Sequence, residues 1–134
     1  MFYELTLQVD KLNEKGEEKR VTERYITEDL LFAGTEAKGL HLYKGECDVT
    51  AIKRSKIMEF VNNRADDEQS IYYATIESIF IDENTGEEKA TKYVVGLFAK
   101  SIDEANRIAN QYMSQGLADL VLVGIKKTKI VDLL

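Results

Sequence analysis

The strongest constraint on this chain is internal. The run Ile52-Lys53-Arg54-Ser55-Lys56-Ile57 returns as Ile125-Lys126-Lys127-Thr128-Lys129-Ile130, with Arg for Lys and Ser for Thr as the only differences. Upstream, Gly16-Glu17-Glu18-Lys19 recurs unchanged as Gly86-Glu87-Glu88-Lys89. Tyr25-Ile26 aligns with Tyr93-Val94, and Thr35-Glu36-Ala37 with Asp103-Glu104-Ala105. The matches keep the same order, which is the signature of a repeated supersecondary unit. The sequence therefore reads as two copies of one β-β-α-β unit.

Local patterning fills in each copy. Met1 to Asp10 alternates, with Tyr3, Leu5, Leu7 and Val9 on one side, the period of a half-buried strand. Asn13-Glu14-Lys15-Gly16 makes the turn, Gly16 supplying the positive φ. Lys19 to Thr27 returns, a short helix starts at Thr35, and Val49 to Phe60 reads as one long strand. The order then restarts. Ile71 to Ile81 and Lys89 to Phe98 flank a turn at Glu83-Asn84-Thr85-Gly86. Ser101 and Glu104 form a capping box, and Ile102, Ala105, Ile108, Ala109, Tyr112 and Met113 share a helical face. Leu120 to Leu133 is the expected last strand. The expected fold is α+β, with helices packed on one face of antiparallel sheet. Residues 1–63 form the first repeat, the polar stretch 64–70 the linker, and 71–134 the second repeat, in one compact domain.

Composition narrows the chemistry. With 44% hydrophobic and 31% charged residues, the chain reads as globular. One cysteine, Cys47, excludes an internal disulfide and suits a reducing cytosol. No apolar run is long enough to span a bilayer, and no leader precedes the first strand, so the expected location is cytoplasmic. His41 and Cys47 are too few to close a zinc site, and Asp66-Asp67-Glu68 lacks the spaced oxygens of a calcium loop. No third group orients Cys47 and His41 as a catalytic pair. The paired carboxylates Glu17-Glu18 and Glu87-Glu88 sit beside turns, where charge is solvated. The eight glycines are scattered, without a phosphate loop. The expectation is a non-enzyme without cofactor or metal.

The opening aromatic-rich strand, the return segment Val21-Thr22-Glu23-Arg24-Tyr25, the Thr35-Glu36-Ala37 helix start and the run Ile52 to Ile57 together resemble the DUF4494 family, a family of unknown function from gut Bacteroidales and their phages. The resemblance covers nearly the whole chain. It implies a bacterial or phage cytosolic setting and a phage or mobile-element gene. It brings no catalytic residue and no substrate.

The basic runs remain. Three basic residues within four positions occur twice in a chain of net charge −6. Buried unpaired lysines are costly, so at least one face of each run must be wet. One reading is an edge strand guarded by lysine against unwanted pairing. The other is a phosphate platform of Lys53, Arg54, Lys56, Lys126, Lys127 and Lys129, with Tyr25, Tyr72, Tyr73 and Tyr93 as stacking surfaces. The second reading makes the protein a nucleic-acid-binding accessory factor, with single strands as the ligand. Its rival is a protein-interaction or assembly module, including a homo-oligomer, built on an exposed sheet edge.

Overall fold

The computed structural model describes residues 1–116 and 119–134. Ten elements follow in order: β1 (Phe2–Leu12), β2 (Glu18–Glu28), α1 (Phe32–Leu42), β3 (Asp48–Arg54), β4 (Ile57–Val61), β5 (Ser70–Ile81), β6 (Glu88–Ala99), α2 (Ile102–Ser114), β7 (Asp119–Lys127) and β8 (Ile130–Leu133). The fold is α+β, with two mostly antiparallel sheets of four strands each.

Each long strand expected at the end of a repeat is in fact two strands. The first breaks after Arg54 and the second after Lys127. The Ser55 N–H donates to the Phe2 carbonyl, and the Thr128 N–H to the Ile71 carbonyl, closing the antiparallel ladder at those residues. Beyond them the chain pairs elsewhere: β4 runs parallel to β6, and β8 parallel to β2. The chain thus forms two compact units, residues 1–55 with 129–134, and residues 56–128.

In the first unit the order is β3-β1-β2-β8. Asn13 builds the hairpin turn. Its side-chain oxygen accepts the N–H groups of Lys15 and Glu17, both at 2.9 Å, and Gly16 takes φ 76°. Leu5, Leu7, Val9 and Tyr25 form the core, with Ile52, Val49, Tyr43 and Leu134 against them. Helix α1 begins at Phe32, three residues before the expected Thr35, and Thr35 is fully buried. Gly39 lets the helix approach the sheet: a Cβ there would lie 2.6 Å from Leu5 Cδ2. A polar knot fixes the other end. Asp29 accepts the Thr27 and Thr35 hydroxyls at 3.2 and 3.1 Å and pairs with Lys38 at 3.1 Å.

The second unit has the order β4-β6-β5-β7. Tyr72, Ala74, Leu97 and Ala99 meet Ala105, Ile108 and Ala109 of α2. Ser101 accepts the Glu104 N–H at 3.1 Å, half of the expected capping box. The Glu104 carboxylate instead accepts the Gln69 side chain at 3.3 Å. Residues 64–69 contain no strand or helix, yet they are tied to this unit. Lys100 pairs with Asp66 at 2.7 Å, and the Arg64 guanidinium lies over the Phe98 ring.

Candidate functional site

The six basic residues are all exposed, and the topology divides them. Lys53 and Arg54 end β3, an edge strand of the first sheet; Lys129 precedes β8, the opposite edge of that sheet. Lys126 and Lys127 end β7, an edge strand of the second sheet, and Lys56 precedes β4 at its other edge. Within one unit the opposite edges are three strand spacings apart, roughly 14 Å. Each basic run straddles the place where the chain leaves one sheet for the other.

Register sorts the residues by face. Arg54 is opposite Tyr3 and Lys127 opposite Tyr72. Directly opposed residues point to the same side of a sheet and successive residues to opposite sides. Tyr72 packs with the core residues under α2, so Lys127 lies on the helix side. Lys53 is opposite Glu4, and Lys126 opposite Tyr73, both on the sides away from the helices. Lys53 Nζ pairs with Glu4 Oε2 at 3.1 Å. Among the described residues, none of the other five basic side chains makes an ion pair.

Of the four tyrosines expected as stacking surfaces, Tyr25 and Tyr72 are buried in the two cores and present no face to a ligand. Tyr73 and Tyr93 are half-buried. Tyr25 serves a different purpose, in a network that the sequence pattern does not reveal. Glu23, 8% exposed, accepts hydrogen bonds from Lys11 at 2.9 Å, Tyr25 at 3.2 Å and Tyr43. Burial pushes the Glu23 carboxyl up, but the three donors and the Lys11 charge outweigh it and hold it below its ordinary value. Burial, with the neighbouring Glu23 charge, pushes the Tyr25 phenol up.

A cleft of about 350 Å³ is lined by Gln8, Asp10, Arg20, Cys47 and Asp48 among others. Its cation is already satisfied: Arg20 donates to Gln8 at 2.9 Å and pairs with Asp48 and Asp10. Burial and the Asp48 and Glu23 carboxylates push the Cys47 thiol up, which disfavours the nucleophilic thiolate. Cys47 donates to the Gly39 carbonyl at 3.6 Å. Glu17, Glu18, Glu87 and Glu88 are exposed at the hairpin ends. Among the described residues no three His, Cys, Asp or Glu side chains gather to hold a metal ion, and no helix is long and apolar enough to cross a membrane.

Comparison with curated proteins and with solved structures returned no match. The model of DUF4494, a domain of unknown function, matches residues 1–134, the whole chain, and the protein belongs to that family.

Proposed function

We propose that the protein is a non-enzymatic nucleic-acid-binding accessory factor, acting on single strands in the cytoplasm of a bacterium or a phage-infected cell. On this reading residues 1–63 and 71–134 are copies of one β-β-α-β unit, and each copy contributes phosphate contacts from its basic run. The observation that carries the reading is charge placement. Arg54, Lys56, Lys126, Lys127 and Lys129 are exposed and make no ion pair among the described residues, in a chain whose net charge is −6. Phosphate is the chemistry that exposed, unneutralised cations recognise. Titration of fluorescent single-stranded and duplex oligonucleotides at 50 and 200 mM salt tests it. Binding that weakens as salt rises, and weakens again when Lys126, Lys127 and Lys129 become Ala, is the expected result. Absence of binding at 50 mM salt overturns it.

A second reading, a protein-interaction module, rests on a different observation. Leu30, Leu31 and Phe32, at the start of α1, are 88, 70 and 53% exposed. Three consecutive exposed apolar side chains favour a protein partner. A stoichiometric partner recovered with the wild type and lost with Leu31→Ser and Phe32→Ser would favour this reading.

A further inference from the structure

The two basic strand ends look equivalent in sequence, but one position separates them. In the first sheet, Lys53 stands opposite Glu4. In the second, Lys126 stands opposite Tyr73. The two places correspond rung for rung. One residue earlier on each inner strand, Tyr3 faces Arg54 and Tyr72 faces Lys127; one residue later, Leu5 faces Ile52 and Ala74 faces Ile125. Both ladders also break at the corresponding rung, between Thr6 and Leu7 and between Thr75 and Ile76.

The consequence is electrostatic. Glu4 holds a carboxylate oxygen 3.1 Å from Lys53 Nζ, a fixed counter-ion within the chain. A phosphate arriving at Lys53 would displace that pair and meet the Glu4 charge. Tyr73 supplies no carboxylate at the corresponding place. Lys126 is exposed, makes no ion pair among the described residues, and has only mobile counter-ions to release. Release of such ions is what drives phosphate binding and gives it its salt dependence.

We infer that the two basic strand ends are not equivalent: Lys126 contacts the backbone of a single-stranded nucleic acid, while Lys53 is silenced by Glu4. The inference rests on the nucleic-acid reading above and says which basic residue makes its contact.

Four variants test it in the full-length protein, with a fluorescent oligothymidylate as probe and a salt series as readout. Each single-strand phosphate contact contributes about 0.7 to the slope of log affinity on log salt, hence roughly fivefold in affinity at 0.1 M salt. Lys126→Ala is expected to lose that fivefold and about 0.7 of slope, and Lys53→Ala to change neither. Glu4→Gln, which keeps the shape and removes the charge, is expected to gain about as much as Lys126→Ala loses. Tyr73→Glu is expected to weaken binding, with circular dichroism confirming that the variant is folded. Equal losses from Lys53→Ala and Lys126→Ala, or no gain from Glu4→Gln, overturn the asymmetry while leaving nucleic-acid binding intact. A wild-type protein that does not bind the probe at 50 mM salt overturns the nucleic-acid reading itself, and this inference with it.

Discussion

At the scale of single residues, Glu23 shows what a buried charge costs and how it is held. Its carboxylate is nearly inaccessible, and three donors satisfy it: Lys11, Tyr25 and Tyr43. Glu23→Ala strands all three and is expected to destabilise the protein by about 2 kcal/mol in urea unfolding at pH 7. Glu23→Gln keeps one acceptor oxygen and separates the charge from the shape. The folded carboxyl titrates below its ordinary value of 4.5. Its charge-dependent contribution is therefore complete above about pH 4.5 and vanishes as pH falls through the lower, folded value. The stability gap between wild type and Glu23→Gln should be widest near pH 7 and close on acidification below 4.5. A gap independent of pH between 7 and 3 would show that charge is not what Glu23 contributes. None of this is legible in Val21-Thr22-Glu23-Arg24-Tyr25, where Glu23 looks like one more polar residue of a strand. Its burial follows from Tyr43 and Lys11 arriving from distant sequence. The Glu4–Lys53 pair was hidden for the same reason, since it requires the β1–β3 register.

At the scale of elements, α2 was legible and α1 was less so. Helix α2 has a cap and a sharp apolar face, and Ala105, Ile108 and Ala109 are buried as its period predicts. Ile102, placed on the same face, is 51% exposed because it lies in the first turn, beyond the sheet-facing stretch. Ser101→Ala is expected to cost about 1 kcal/mol, read as a lower Tm. Helix α1 has no side-chain cap, and its buried positions are Thr35 and Gly39, neither of which announces a core face. Gly39 lowers helix propensity, which makes the helix look weak in sequence; the sheet requires it. Gly39→Ala gains about 1 kcal/mol of propensity but drives a methyl into the side chain of Leu5, which is fully buried. Overpacking of this kind costs about 1–3 kcal/mol, so a net loss in Tm is expected. A higher Tm would mean that the helix retreats without penalty. The return strands show a subtler limit. The sequence match sets Tyr25 against Tyr93. In the sheets, Tyr25 lies opposite Leu5, whereas the residue opposite Ala74 is Val95. Since Leu5 and Ala74 occupy corresponding rungs, the match slips by two residues. A two-residue slip preserves the face of every side chain, so the apolar alternation could not detect it.

At the scale of the whole molecule, the sequence indicated two halves and hid how they are completed. The pattern from Val49 to Phe60 and from Leu120 to Leu133 reads as continuous strand, because nothing in Ser55-Lys56 or Thr128-Lys129 marks a break. No proline or glycine interrupts either basic run. The break arises from pairing: β4 aligns with β6, and β8 with β2, each in parallel register. Each sheet therefore takes its last strand from the other half of the sequence. This exchange makes a prediction about folding. A fragment of residues 1–63 carries β4 without β6 and leaves the β2 edge bare. A fragment of residues 64–134 carries β8 without β2 and leaves the β6 edge bare. Halves of this size bury too little surface to tolerate such a loss easily. Each fragment alone is expected to melt without a cooperative transition by circular dichroism, and an equimolar mixture to recover one. The intact chain is expected to unfold in a single transition, because opening either sheet releases a strand tethered to the other. Two separate transitions in calorimetry, or a fragment of residues 1–63 that melts cooperatively on its own, would show that the exchanged strands are accessories to sheets already stable without them.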